Sequence, residues 1–321
     1  MKILLLEPFH TGSHADWAKG VVEHSGHEIK LLKLSGKYWK WRMHGGAHQL
    51  AREFLNLDFL PDLILASDML DLGLFLSLTR KKSAAIPTAL YFHENQLVYP
   101  WSPTDPDKAL KRDRHYAFIN FSSACVADHI FFNSHYHKEA FFEALPTFLK
   151  VFPDYRQLES IEELRAKSEV LALGLNLKTL DVIKGEENEA NTIPHIVWNH
   201  RWEYDKNPED FFEVLFRLKS EGVDFRLILL GEQYKRELKI FKLAKEKLSE
   251  EIVHEGFAES REAYASLLRK ADILPVCSKH DFFGVSVVEA IYAGAYPLLP
   301  RRLAYPEHIE FHPPYYPHRH R

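Results

Sequence analysis

Short apolar runs alternate with longer amphipathic stretches along this chain. Residues 2–6, 28–32, 63–66, 88–92 and 129–132 are strand-length and rich in aliphatic and aromatic side chains. Between them, residues 13–24, 47–56, 70–78, 107–124 and 134–144 carry apolar positions at helical spacing. Strands that alternate with helices predict βαβ units and a mostly parallel sheet covered on both faces. A charged connector over 154–167 leads to LNLKTLDVIKGEENEANTIP (175–194), which is polar, acidic and nearly without periodicity. The rhythm restarts with strands expected over 195–198, 225–230, 272–275 and 296–299. Helices are expected up to Lys219 from the turn at Pro208, then over 235–248, 261–270 and 284–293. The expected division is a first α/β domain over 1–175, a linker over 176–193 and a second α/β domain over 194–321.

Composition narrows this picture. A chain of 321 residues, 46% hydrophobic and 27% charged, holds enough material for two cores. No apolar run exceeds strand length, so no membrane span and no signal h-region is read, and residues 2–6 are a first strand. Net charge is −4, with neither half basic, so any nucleic-acid contact must be a local patch. Cys125 and Cys277 form neither a framework nor a metal spacing, which suits a reducing cytosol and a cytoplasmic location. The 19 histidines include His10/His14 and His44/His48 at i,i+4 and His135/His137 two apart. In sequence, no neighbouring carboxylate or cysteine completes a ligand set, so no metal is expected. Asp105-Pro106-Asp107 lies in a proline-rich loop at a helix cap, which is not where a metal-binding Asp-x-Asp belongs. The tail over 312–321 is broken by prolines, and poor order is expected there.

Ligands of doubly wound sheets bind beyond the carboxyl ends of the strands, so the loops there hold the candidate chemistry. After strand one come Thr11, Gly12, Ser13 and His14. They read either as a helix start capped by Ser13 or as a loop that faces the cleft and touches a ligand. Neither Gly-x-Gly-x-x-Gly nor Gly-x4-Gly-Lys-Ser/Thr occurs, which argues against dinucleotide and NTPase sites. Residues 30–42 (KLLKLSGKYWKWR) hold five basic residues, no acid and three aromatic residues. Lys37, Trp39, Lys40, Trp41 and Arg42 suit phosphates and stacked bases, or equally indoles packed under lysine stems. His93 follows a buried strand directly, beside Asn95 and Gln96, whose amides suit sugar hydroxyls or base edges.

In the second half, Arg201 and Lys206 stand five apart in a loop before a helix, as a fork and a point charge able to close on a diphosphate. Gly231 ends a strand where backbone can approach a ligand, and Phe257 follows another. The stretch ADILPVCSKHDFFGVSVVEAIYAGAYPLLP (271–300) reads as strand, loop, helix and strand. Its loop and helix carry Asp281, Phe283, Gly284 and Glu289. A helix opening at Gly284 presents free amides and the positive dipole end to an anion.

Asp281-x7-Glu289 resembles the Glu-x7-Glu signature of glycosyltransferase family 4, with aspartate in place of the first glutamate. Arg201-x4-Lys206 resembles that family's donor-diphosphate element. Glu7-Pro-Phe-x-x-Gly-Ser-His, Leu34-Ser-Gly-Lys-x-Trp-x-Trp-Arg, Phe92-His-Glu-Asn-Gln and Phe282-Phe-Gly-Val together resemble the tRNA-queuosine mannosyltransferases over most of residues 1–310. The resemblance implies the GT-B fold, with two Rossmann-like domains facing across a cleft. It implies a retaining, metal-independent transfer of mannose from GDP-mannose to queuosine in the anticodon loop of aspartate tRNA, with no cofactor beyond the nucleotide sugar. Glu289 would then hold the ribose, Asp281 and His93 would border the reacting carbon, Phe257 would lie against the base, and 37–42 would touch RNA. Members continue past Glu307 with a terminal helix, so a truncated or atypical end is expected. The alternatives are a family 4 enzyme with a lipid or small-glycan acceptor and a non-catalytic binding module.

Overall fold

The structure is a computed structural model that describes residues 1–103, 105–109, 114–181, 191–231 and 238–309. It divides into two compact units, Met1–Asn176 and Leu177–Arg321. The first runs β1 (Lys2–His10), α1 (Gly12–His24), β2 (Glu28–Ser35), α2 (Trp39–Asn56), β3 (Leu63–Ser67), α3 (Leu72–Ser83) and β4 (Thr88–Phe92). It continues with α4 (Pro106–Ala109), α5 (His115–Val126), β5 (His129–Phe132), α6 (His135–Leu149), α7 (Ser160–Ala166) and β6 (Ser168–Val170). The second runs β7 (His195–Asn199), α8 (Pro208–Ser220), β8 (Arg226–Leu230), α9 (Lys239–Lys247) and β9 (Ile252–Gly256). It ends with α10 (Arg261–Lys270), β10 (Ile273–Pro275), α11 (Val285–Tyr292) and β11 (Tyr296–Leu298).

Both sheets are parallel throughout, ordered β2-β1-β3-β4-β5-β6 and β11-β10-β7-β8-β9. The period of two along a strand explains why both faces need helices. In the second unit Ile196, Trp198, Leu227 and Leu229 enter one core, while Val197, Ile228 and Leu230 enter the other. In the first unit Leu4 and Leu6 are fully buried in a core that α2, α3, α5 and α6 also supply.

In each sheet the first strand has neighbours reached by opposite crossovers, β2 and β3 around β1, β8 and β10 around β7. Those reversals open crevices at the carboxyl ends of β1/β3 and of β7/β10.

Several boundaries differ from the pattern-based reading. The helix expected over 47–56 begins at Trp39, because 39–42 wind into the first turn of α2 instead of forming a loop. Thr11, not Ser13, is the N-cap of α1, and Ser13 lies inside the helix. β6, too short to show a pattern, was not expected. The segment read as the start of a linker forms a one-turn 3-10 helix, Leu177–Leu180, whose Leu180 is wholly buried in the second unit. The rest of that linker (182–190), the basic run at 111–113, the start of the helix read over 235–248 and the tail over 312–321 lie outside the described residues.

Candidate active site

The crevice of the first unit is lined by acids and histidines from three strand ends. Glu7, at the end of the buried part of β1, is fully buried. Its Oε1 accepts the Phe9 N–H (2.8 Å), and its Oε2 lies 3.2 Å from His14 Nδ1, one turn into α1. The His14 ring lies against His93 (centroids 4.2 Å apart), and Trp17 meets His93 edge-on at 4.7 Å. His93 is pinned by its backbone: its N–H donates to Asp68 Oδ1 (2.8 Å), and its carbonyl accepts from Asn133 Nδ2 (2.9 Å). Burial alone would strip His14 of its proton, but Glu7 outweighs burial and raises the imidazole to about 9. Burial pushes the Asp68 carboxyl up to about 8. Burial, reinforced by the positive charge of His14, holds His93 neutral well below its ordinary value. Its Nε2 has no hydrogen-bond partner among the described residues. A neutral, backbone-anchored ring with one buried open nitrogen can exchange a hydrogen bond with a substrate hydroxyl.

Glu7, His14 and His93 also bring a carboxylate oxygen and two ring nitrogens within 4.8 Å of one another, a donor set able to hold a divalent ion. Read along the chain, the histidines had no carboxylate to complete a set; the fold supplies one. Asn95 and Gln96 serve the loop itself. Asn95 Oδ1 accepts the Leu97 and Val98 N–H groups, and the Gln96 N–H donates to Asn120 Oδ1 (2.8 Å) while its amide donates to Glu94. Thr11, Gly12 and Ser13 are exposed at the start of α1.

Residues 37–42 divide into packed or paired side chains and exposed ones. Trp39 is packed, its ring 4.9 Å from Tyr116 beside Met43 and Trp101. Lys40 is bound to Asp105 (2.6 Å) and Asp107, which ties that Asp-x-Asp to the first turn of α2. Arg42 donates to the Ser35 carbonyl and hydroxyl, both at 3.0 Å. Lys37 and Trp41 are exposed.

In the second unit the loops after β7 and β10 are tied together. Asn199 Nδ2 donates to the Ser286 carbonyl and His200 Nδ1 lies 3.2 Å from Ser286 Oγ, which fixes the β7 loop on the first turn of α11. Gly284 is the N-cap of α11 at φ 89°, a left-handed conformation that a side chain would strain. Lys206 is buried. Its ammonium donates to the His280 carbonyl (3.0 Å) and Asp281 Oδ1 (3.0 Å) and lies 3.3 Å from Asp205 Oδ2. Tyr305, also fully buried, donates to Asp281 Oδ2 (2.6 Å).

Burial opposes both charges, yet they support each other: Lys206 holds the Asp281 carboxyl below the usual range, and Asp281 and Asp205 raise the ammonium. Burial, with the Lys206 charge beside them, drives His200 and His280 down to about 4. Arg201 bridges to Glu203 at 3.4 Å with its side chain 44% exposed, so it is the cation presented to solvent. Glu289 accepts from Arg261 (2.7 Å) and Tyr264 (2.7 Å), one on each oxygen, and each oxygen keeps a second lone pair for a hydroxyl. Phe283 supplies its carbonyl and its ring to His308. Phe257 is 76% exposed in the loop before α10. Gly231 has a packing reason of its own, because a Cβ there would lie 2.0 Å from the His200 carbonyl oxygen.

Pattern reading did not assign Glu7, Asp68, Asp205 or Tyr305 to a site. Glu7 had one visible signal, an acid inside an otherwise apolar buried run. Tyr305 had none, since its partner Asp281 is 24 residues away.

Residues 2–175 match the family model described as tRNA-queuosine alpha-mannosyltransferase N-terminal, and 181–310 match glycosyl transferases group 1. The tRNA-queuosine alpha-mannosyltransferase of Drosophila melanogaster is 34% identical over 312 residues, 95% of this chain and 81% of that protein. A GDP-mannose:cellobiosyl-diphosphopolyprenol alpha-mannosyltransferase of Xanthomonas campestris is 28% identical over 100 residues, 31% of this chain and 26% of that one. Among solved structures, sucrose-phosphate synthase from Thermosynechococcus elongatus aligns with TM-score 0.61 at 12% identity, over 92% of this chain and 80% of that one. A glycosyltransferase from Rickettsia africae aligns with TM-score 0.62 at 16% identity, over 97% and 82%. The structural likenesses establish the GT-B fold. With the sequence matches spanning both units, they place this hexosyltransferase in the tRNA-queuosine alpha-mannosyltransferase family.

Proposed function

We propose that this chain transfers mannose from GDP-mannose to the cyclopentenediol of queuosine in the anticodon loop of aspartate tRNA, in the cytoplasm, with retention and without a metal. The observation that carries this reading is the kinship with the Drosophila enzyme, which runs through both units and includes both crevices. In the reaction the bond from the sugar's C1 to the diphosphate oxygen breaks. A bond from C1 to the acceptor hydroxyl oxygen forms on the same face, and the hydroxyl proton passes to the departing phosphate. The leaving group's growing negative charge is met by Arg201, by the amide end of α11 at Gly284 and by Lys206 behind Asp281. Glu289 accepts the ribose hydroxyls and Phe257 lies against the base. In the second unit Asp281 stays charged beside Lys206 on the donor side, and in the first unit His93 offers its open Nε2 to an acceptor hydroxyl.

The test incubates the protein with queuosine-containing tRNA and a panel of nucleotide sugars, then examines the nucleosides by mass spectrometry. A hexose gained on queuosine with GDP-mannose, undiminished by EDTA, is the expected result. No gain with any donor defeats the proposal, and a gain that EDTA abolishes defeats its metal-independent part.

A further inference from the structure

We propose that Tyr38 and Trp41, at the amino end of α2, form a fixed stacking platform for unpaired bases of the RNA acceptor. The inference rests on the tRNA reading above and adds to it the residues that hold the loop. Four observations converge on this end of the helix.

The first is exposure. Tyr38 is 77% and Trp41 63% exposed, whereas Trp39 between them is packed against Tyr116. One segment thus splits its aromatic residues into a buried anchor and two outward rings.

The second is immobilisation. An ideal Cβ on Gly45 would lie 2.6 Å from Trp41 Cζ2 and 2.7 Å from Cε2, so the indole rests on bare backbone one turn along the helix. A ring held on one face and open on the other can stack a base at little entropic cost.

The third is strain. Tyr38 sits at φ 56°, ψ 55°, a left-handed conformation that disfavours a bulky side chain. Its side chain makes no cap hydrogen bond for α2. Glycine or asparagine would suit that backbone better, so the ring is retained against the local preference.

The fourth is charge. No acid occurs between Glu28 and Glu53, and Lys37, the residue before Tyr38, is exposed. Lys40 is occupied by Asp105 and Asp107, which leaves Lys37 as the cation placed to meet a phosphate. Aromatic faces beside an exposed cation, on a protein of net negative charge, fit a single-stranded loop of RNA.

Binding of a queuosine-containing anticodon stem-loop to the full chain tests this. Trp41→Ala is expected to weaken RNA binding about 5- to 100-fold, the loss that one lost base stack produces, and Trp41→Phe to restore most of it. Tyr38→Gly is expected to act in two directions, raising Tm by about 2–4 °C through relief of the backbone and weakening RNA binding several-fold. Binding of GDP-mannose stays unchanged in all three. If the wild type binds the stem-loop and Trp41→Ala and Tyr38→Gly bind it equally well, the platform is refuted while the tRNA reading stands. A wild type that binds no RNA overturns both. Loss of a self-association in Trp41→Ala without loss of RNA affinity would make this surface a protein contact and refute the platform as well.

Discussion

The two crevices occupy the same topological position in their sheets, yet they are built from different charges. That of the second unit rests on ion pairs: Lys206 between Asp205 and Asp281, with the ammonium raised and the Asp281 carboxyl lowered by each other, and Arg261 on Glu289. That of the first unit rests on groups moved far from their ordinary values, His14 raised to about 9, Asp68 to about 8 and His93 pushed the other way. The proposed reaction would account for the difference by what each crevice has to hold. A diphosphate is a permanent anion and is matched by permanent cations and amide dipoles. A hydroxyl acceptor is neutral and is better met by a ring nitrogen and a carboxyl that exchange hydrogen bonds. The same fold element thus carries two different sets of side chains at its strand ends, as two chemistries would require.

The hardest blow to this contrast is Lys206→Met. It leaves Asp205 and Asp281 buried without their ammonium, so a loss of about 3–5 kcal/mol is expected in urea unfolding, together with loss of transfer activity. The companion His14→Gln keeps an N–H donor beside Glu7, and its cost is expected to shrink as pH rises towards 9, where the imidazolium is lost anyway, whereas that of Lys206→Met is expected to persist. Equal losses would show that both crevices depend on fixed ion pairs to the same degree.

Acidity sharpens the contrast next. His14 has a folded value of about 9 against 6.5 unfolded, so its contribution is complete below pH 6.5 and disappears as pH rises through 9. Asp68, raised to about 8, acts in the same direction. His200 and His280, lowered to about 4, contribute above pH 6.5 and lose that contribution as pH falls towards 4, and His93 adds to this acid limb. Thermal unfolding followed from pH 4 to 9 should show both limbs, with the alkaline fall amounting to several degrees and flattened in His14→Gln. A wild-type Tm that stays level between pH 7 and 9 would mean that Glu7 and His14 are not an ion pair.

Much of this architecture was legible in the chain, for a physical reason. Parallel strands buried on both faces read as solid apolar runs, so residues 2–6 and 88–92 declared β1 and β4 directly. What stayed hidden lay at loop ends and in pairings across sequence. The start of α2 was misread because Tyr38, Trp39 and Trp41 carry no cap signal, and a residue in the left-handed region at its N-cap is not written in any pattern. The motifs named His93, Asp281 and Glu289, but not what surrounds them. Asp68 reaches His93 across 25 residues and Lys206 reaches Asp281 across 75, distances that periodicity cannot bridge. His10 and His14 stand four apart in sequence, whereas the fold puts His10 at the end of β1 and His14 on α1 and gives His14 to Glu7.

The smallest effect probes whether the second crevice is poised or merely stable. Tyr305→Phe removes one charge-assisted hydrogen bond from Asp281 and leaves the ring that packs beside Gly284, so about 1.5 kcal/mol of stability is expected to go. The kinetic consequence decides more. If Tyr305 serves to keep Asp281 turned towards Lys206, its loss frees one carboxylate oxygen to rotate, and kcat should fall several-fold with KM for the donor nearly constant. A group that only supports folding would leave kcat untouched once the protein is folded. A raised KM at constant kcat would instead assign Tyr305 and Asp281 to ground-state binding of the sugar, and the division between a fixed-charge crevice for leaving and a titratable crevice for accepting would have to be redrawn.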